Sequence, residues 1–192
     1  MRIFGWLIFA SWLTLVAYWC LSAGAVVRST GNRWIWWREI ALRLGFFALV
    51  MLVLQLSVAG DALPHPGLYA FNTSIPMGLI GFGFSMLGVG LAIQARACLG
   101  SSWGLSMSSK EKRELVTTGP YTFVRHPIYG GLLLAMLGSA IGQSIFWLLP
   151  LIVYVPNFIR SARREERLLI EQFPERYRSY MRRTKMLLPF VV

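Results

Sequence analysis

One polar segment of the chain brings an arginine and a histidine to the start of an apolar run. It reads Glu114-Leu-Val-Thr-Thr-Gly-Pro-Tyr-Thr-Phe-Val-Arg-His-Pro-Ile-Tyr-Gly130, so Arg125 and His126 stand directly before Pro127. Proline is favoured in the first turn of a helix, which predicts that a helix begins there. Arginine and histidine at such a boundary can bind an anion or transfer a proton, and they need partners.

Two adjacent carboxylates, Glu165 and Glu166, follow the next apolar run and are the expected partners. A simpler interpretation makes Arg125 a marker of membrane orientation and His126 a helix cap. The two glutamates could likewise pair with neighbouring arginines, and such pairs contribute little when exposed. The choice between these interpretations depends on the residues around the motif.

Those surrounding residues form a series of blocks across the second half of the chain. In chain order they are Leu115-Val116-x-x-Gly119-Pro120-Tyr121, Arg125-His126-Pro127-x-Tyr129, Glu165-Glu166-x-x-Leu169, Phe173-x-x-x-Tyr177-x-x-Tyr180 and Leu188-Pro189-Phe190. Their order and spacing resemble the isoprenylcysteine carboxyl methyltransferase family, integral membrane enzymes related to the phospholipid N-methyltransferases. The resemblance covers about residues 99–190; the first half is similar only as apolar spans.

The resemblance implies that S-adenosylmethionine is the methyl donor and S-adenosylhomocysteine the product. The implied cofactor-binding positions are Arg113, Glu114, Leu115, Val116, Tyr121, His126, Pro127, Ile128, Tyr129 and Glu165, with Glu166 beside the last of them. The chain departs from the family's pattern at two places. Many members carry histidine where Arg113 stands. An acceptor-associated arginine of the eukaryotic members would fall at Ser161, so Arg160 and Arg163 become the candidate substrate residues and the acceptor stays open.

The residue types also suit this cofactor on chemical grounds. Arg125 or His126 can pair with its carboxylate, and Glu165 can accept hydrogen bonds from its ribose hydroxyls or ammonium. Tyr121 or Tyr129 could lie over the sulfonium, because a cation is attracted to an aromatic face. The alternative for both tyrosines is a place in the interfacial aromatic belt.

The expected reaction is in-line transfer of a methyl group to a lipophilic acceptor, with Arg125, His126 and Glu166 as the candidate catalytic residues. The family's type acceptor is a prenylcysteine carboxylate, which is already ionised and needs no base. A phospholipid amine or a small thiol must lose a proton, for which His126 or Glu166 is a candidate. Alignment in a dry pocket would supply most of the acceleration.

Two other classes of function stay open at this stage. An NADPH-dependent membrane reductase has a similar helical core, and Lys110, Lys112 and Arg113 could bind its 2′-phosphate. A non-catalytic membrane scaffold would use the basic tail on anionic lipid.

The composition favours a membrane protein over a soluble one. Of 192 residues, 56% are apolar and 14% charged, yet the formal net charge is +11. Too few polar residues are available to cover a soluble domain of this size, and the basic excess argues against an inert anchor. Nucleic acid is the weakest partner, because the tail mixes its arginines with four acids. Two cysteines and two histidines do not make a metal cluster, so we expect no metal.

Four apolar runs predict an all-α, polytopic membrane protein. They span residues 3–27, 40–59, 75–93 and 128–159, and the last is too long for one upright span and short for two. It is expected to form a hairpin whose second arm continues into the polar tail, which gives about five membrane helices. The first run exceeds a usual signal-peptide core and is expected to stay as a span. Basic residues gather in 28–43, 98–126 and 160–192, which predicts an external amino terminus and a cytoplasmic carboxyl terminus in a plasma or inner membrane.

This layout predicts one structural domain with two parts. Residues 1–97 carry three membrane helices, and residues 98–192 form the cofactor-binding half with its hairpin and cytoplasmic tail. Five glycines of the third span predict close helix packing: Gly78, Gly81, Gly83, Gly88 and Gly90. The tail predicts an amphipathic helix from about Arg160 to Arg183, broken into two pieces at Pro174.

Overall fold

The computed structural model describes residues 2–30, 74–100 and 115–187, with three isolated helical positions at 45, 49 and 52. Within these ranges the chain is helical and contains no β-strand beyond one isolated bridge. The helices are α1 (Arg2–Thr30), α2 (Ile75–Leu99), α3 (Pro127–Gly142), α4 (Leu148–Gln172) and α5 (Pro174–Arg183). Short 3₁₀ turns cover Gly119–Thr122 and Ile145–Trp147.

Prolines mark where several of these helices begin. Pro76 stands in the first turn of α2, and Pro127 and Pro174 open α3 and α5. Proline lacks a backbone N–H and has a helical φ, so it costs nothing in the first turn. The predicted start of a helix after His126 and the predicted break before Pro174 are both confirmed.

Within the part of the chain that the structure describes, three helices are long and apolar enough to cross a membrane by length and composition: Ile3–Ser22, Ile75–Leu99 and Ile145–Gln172. The predicted hairpin is present, because α3 ends at Gly142 and α4 follows after the turn at 143–147. The α3 helix is shorter, and its 16 residues reach about 24 Å. The predicted span 40–59 lies almost wholly outside the described residues, so the total of five spans and the orientation stay predictions.

The α4 helix joins the membrane part of the fold to the tail. It runs without a break from the apolar Leu148 through Arg160 to Gln172, with Pro156 inside it. The prediction that the second arm of the hairpin continues into the polar tail is therefore confirmed. A single helix consequently contributes both to the membrane core and to the polar region above it.

Small residues allow α2 and α3 to touch backbone to backbone. A Cβ atom added at Gly88 would lie 2.4 Å from the carbonyl oxygen of Gly131, and one at Gly138 would lie 2.5 Å from that of Gly81. Membrane helices approach this closely only where side chains are absent. The predicted packing role is confirmed for Gly78, Gly81 and Gly88, whereas added Cβ atoms at Gly83 and Gly90 meet nothing within 4 Å in the described part of the chain.

Polar side chains and stacked indoles attach α1 to this pair of helices. Trp12 donates to the hydroxyl of Ser139 on α3 (3.0 Å), and the hydroxyls of Ser11 and Ser85 lie 3.0 Å apart between α1 and α2. Trp12 also stacks on Trp147 at the hairpin turn, with ring centroids 5.1 Å apart. These contacts fix the base of the hairpin, at the turn 143–147. The polar site lies at the opposite end, where α3 begins.

We predict that Gly88→Ala lowers the thermal stability of the purified protein in detergent, because the new methyl group would collide with the α3 backbone. The matched variant Gly90→Ala, on an open position of the same helix, should unfold at or above the wild-type temperature, since alanine is the better helix former. Circular dichroism melting curves measure both. Equal melting temperatures for the two variants would contradict this account of the α2–α3 interface.

Candidate functional site

The polar site lies at the open end of the hairpin, where the segment before α3 meets the end of the tail. The backbone N–H of Arg125 donates to the carbonyl of Lys185 (2.8 Å), and that of His126 donates to the carbonyl of Met186 (3.0 Å). Val124 and Lys185 form a parallel bridge. We call residues 184–187 the tail strap, because they lie along the residues that deliver the arginine and the histidine.

A second set of contacts fixes the turn that precedes this segment. Gly119 has a φ of +61°, and a Cβ atom there would lie 2.8 Å from the sulfur of Cys98, so glycine is required on both counts. Tyr121 is buried in the same turn. The hydroxyl of Tyr180 on α5 donates to the carbonyl of Tyr121 at 2.5 Å. Burial raises the pKa of Tyr180 to about 12, so this hydroxyl keeps its proton.

Arg125 connects three elements through one buried side chain. Its Nε donates to Oε1 of Glu166 on α4 at 2.6 Å, and both side chains are 9% exposed. Its Nη1 donates to the main-chain carbonyls of Thr184 and Met181. Arg125 therefore joins the start of α3 to α4 and to the tail strap, and the predicted partnership with Glu166 is present.

His126 lies between both glutamates. Its Nδ1 is 3.5 Å from Oε2 of Glu165, and its Nε2 is 3.4 Å from Oε1 of Glu166. The Nε2 atom is buried and makes no hydrogen bond of good geometry to any described residue. Burial alone would lower the pKa of His126, but its contacts with the two carboxylates outweigh that effect and raise the pKa above its usual value.

Aromatic rings extend the site down the inner face of the hairpin. The rings of His126 and Tyr129 stack with centroids 5.6 Å apart, and Tyr129 stacks on Phe158 at 4.7 Å. Tyr129 also donates its hydroxyl to Oε1 of Glu165 at 2.5 Å. Glu165 is 46% exposed, so one of its sides faces the open region above the rings. This combination offers a carboxylate and a histidine nitrogen to one ligand, beside a wall of stacked aromatic rings.

The remaining predicted site residues are distributed unevenly. Pro127 and Ile128 form the first turn of α3 beside the cluster, and Leu115 and Val116 are half-buried at the start of the described segment. Arg160 and Arg163 are exposed on α4. Arg113 and Glu114, like Lys110 and Lys112, lie outside the described residues.

Several contacts at the site were not predicted from the sequence. The carbonyls of Thr184, Lys185 and Met186 hold Arg125 and His126, and a main-chain carbonyl leaves no signature in residue type. Phe158 continues the ring stack. It was not predicted as a site residue, because it lies inside an apolar run. Tyr180 belongs to one of the family's sequence blocks, but its hydrogen bond to the turn at Tyr121 was not predicted.

The fold and the site together define the class of the protein. It is a helical membrane protein with a buried arginine–histidine–glutamate cluster at the mouth of a hairpin. Residues 77–176, more than half of the chain, match the family described as phospholipid methyltransferase. The chain belongs to this family, whose members are membrane methyltransferases, and its apolar helices make it an integral membrane protein.

Similar proteins carry several different names. The chain is 35% identical over 111 residues to a nickel-cobalt-cadmium resistance protein of Alcaligenes xylosoxydans xylosoxydans, covering 55% of this chain and 50% of that protein. It is 31% identical over 113 residues to the protein-S-isoprenylcysteine O-methyltransferase of Schizosaccharomyces pombe, covering 57% and 48%. It is 37% identical over 70 residues to methanethiol S-methyltransferase 1 of Bradyrhizobium diazoefficiens, covering 36% and 24%. The chain thus spans at most about half the length of these relatives.

The metal-resistance name is not matched by a metal site in the part of the chain that the structure describes. There, no three His, Cys, Asp or Glu side chains come together in a way that could hold an ion. The predicted resemblance to the isoprenylcysteine methyltransferases is confirmed by the family match and by the relative from Schizosaccharomyces pombe.

We predict that Glu166→Gln destabilises the protein far more than Glu165→Gln. Loss of the buried Glu166 charge leaves Arg125 without its counter-ion, and breaking a buried pair typically costs about 3–5 kcal/mol. Glu165 is nearly half exposed, so its loss should cost much less. Denaturation in detergent measures both, and a Glu165→Gln loss as large as that of Glu166→Gln would contradict the assignment.

The raised pKa of His126 predicts a stability difference that depends on pH. A group whose pKa is raised in the folded state contributes most below its unfolded pKa, and the contribution is lost as the pH rises through the folded pKa. The melting-temperature gap between wild type and His126→Gln should therefore be widest near pH 6 and narrow at alkaline pH. A gap that widens with rising pH would show that the neutral form of His126 is the one stabilised.

Proposed function

We propose that the protein is an S-adenosylmethionine-dependent methyltransferase that acts on a lipophilic acceptor, and that the acceptor is the carboxylate of a prenylcysteine-like compound. The observation that carries the proposal is the cluster of His126, Glu165 and Tyr129 at the hairpin mouth. Family membership and the isoprenylcysteine-methylating relative support it.

The residues at this mouth fit the cofactor. Glu165 presents a half-exposed carboxylate that can accept hydrogen bonds from an ammonium or from ribose hydroxyls. The buried Nε2 of His126 lacks a well-formed partner among the described residues, and a protonated His126 can attract a carboxylate. Tyr129 stacks on both His126 and Phe158, so its ring forms a wall of the site and its hydroxyl orients Glu165. When bound, S-adenosylmethionine supplies an electrophilic methyl group on a sulfonium centre.

The protein's own residues have separable roles in this proposal. Arg125 is a positioning residue, because its guanidinium is bonded to Glu166 and to two carbonyls. Glu166 in turn holds His126 on one side while Glu165 holds it on the other. The ring stack of Tyr129 and Phe158 excludes water below the cluster. Leu115, Val116, Tyr121, Pro127 and Ile128 complete the proposed cofactor pocket, together with Arg113 and Glu114.

The identity of the acceptor decides whether a base is needed. A carboxylate attacks as an anion, so no proton has to be removed and the site must only align the two reactants. A thiol or an amine would give up a proton, and His126 held between two carboxylates is the group within reach. The methanethiol-methylating relative favours the thiol as the second candidate. Arg160 and Arg163 are proposed to guide an anionic acceptor along α4.

We expect isothermal titration calorimetry to show saturable binding of S-adenosylmethionine to the purified protein and no binding of NADPH. Glu165→Gln should weaken binding about 10- to 100-fold, the loss of one charged hydrogen bond. The control Glu171→Gln removes an exposed carboxylate from the same helix and should bind like wild type. Saturable NADPH binding would instead identify a reductase, and binding of neither compound would favour a scaffold.

Transfer of a radiolabelled methyl group then distinguishes the acceptors. An acylated farnesylcysteine, phosphatidylethanolamine vesicles and a small alkyl thiol form the panel. The proposal requires a base-labile methyl ester on the prenylcysteine as the main product. Label on the thiol or the lipid amine would keep the enzyme class and overturn the proposed acceptor.

A further inference from the structure

We infer that one face of α4 is a binding surface for anionic phospholipid headgroups, beyond the acceptor-guiding role proposed for two of its arginines. The surface consists of Arg160, Arg163, Arg164 and Arg167, which we call the basic stripe. All four side chains are exposed. The inference depends on the membrane location of the protein and does not depend on the identity of the acceptor.

The basic stripe lies on the same side of α4 as the exposed apolar residues of its membrane half. In the membrane half of α4, the side chains of Leu149, Ile152 and Val153 are 53%, 69% and 54% exposed, so this face meets lipid chains. At about 100° per residue, these three and the four arginines fall within one arc of about 120°. The opposite face carries the site residues Phe158 and Glu165, and Glu166 lies on the flank between the two faces. The basic stripe therefore continues the lipid-facing surface.

The height of the stripe is the second argument. A helix rises 1.5 Å per residue. The exposed apolar residue Val153 therefore lies about 10 Å below Arg160, and Arg164 lies about 6 Å above Arg160. The headgroup layer of one leaflet is about 5–8 Å thick. An apolar face that ends shortly before Arg160 thus places Arg160 and Arg164 at the level of the lipid phosphates.

The charges near the stripe are the third argument. No acidic residue stands three or four positions from Arg160 or Arg164, so neither has a helical neighbour to pair with. The acids nearest to these two arginines are Glu165 and Glu166, and they contact His126 and Arg125. Glu171 lies one turn beyond Arg167 and is the acid next to the far end of the stripe. Two like charges one turn apart repel each other, and an external anion between them relieves that repulsion.

Two matched double variants test the inference. Arg160→Gln with Arg164→Gln removes two charges from the stripe, and Arg176→Gln with Arg178→Gln removes two exposed charges from α5, outside the stripe. The full chain in neutral detergent is titrated with phosphatidylglycerol or with phosphatidylcholine, and the rise in melting temperature gives the apparent lipid affinity.

Wild type should be stabilised by phosphatidylglycerol and not by phosphatidylcholine. The stripe variant should bind phosphatidylglycerol about 30-fold more weakly, as expected for two bases near an anionic surface. The α5 variant should keep the wild-type affinity, and Arg160→Lys with Arg164→Lys should keep most of it. Equal losses in the stripe and α5 variants, or no preference for phosphatidylglycerol in wild type, would overturn the inference.

Methyl transfer and lipid binding can fail independently in these experiments. Absence of S-adenosylmethionine binding would remove the proposed function and leave the phosphatidylglycerol shift untouched. Loss of the shift in both double variants would remove the lipid surface and leave cofactor binding untouched.

Discussion

The buried pair between Arg125 and Glu166 is the interaction on which the site depends. It is charge-assisted, short and almost fully removed from water, so neither partner is tolerable without the other. The same guanidinium also binds carbonyls of the tail, and it therefore fixes the start of α3, the upper half of α4 and the tail strap in one arrangement. His126 gains its two carboxylate neighbours only because this arrangement holds.

Glycine contacts between α2 and α3 serve the same purpose from the membrane side. They bring the two helices to backbone contact, and the stacked indoles of Trp12 and Trp147 fix the base of the hairpin. Since the base is rigid, the opposite end can hold charged groups at defined separations. A packed apolar core thus supports a polar cluster that would be costly in a looser bundle.

The chemistry-bearing residues of the second half could be predicted because residue type and order carry strong information there. Arg125, His126, Glu165 and Glu166 were expected to meet across the hairpin, and they do. The continuation of the second hairpin arm into the polar tail was also predicted, and α4 has this form from Leu148 to Gln172. The contacts of the tail strap use carbonyl oxygens, which every residue has, so nothing in the sequence marks them. The span 40–59 and the roles of Arg113 and Glu114 stay predictions.

The unbroken α4 helix also makes the geometry of the cluster sensitive to bilayer thickness. A helix whose apolar stretch does not match the hydrocarbon core responds by tilting. Glu165 lies five residues beyond Arg160, so a tilt of about 10° about that point would move the carboxylate by about 1 Å. That displacement is comparable with the precision that aligned reactants require. Because α4 contains both the apolar stretch and the two glutamates, a change in hydrophobic mismatch is transmitted to the carboxylates beside His126 without any ligand.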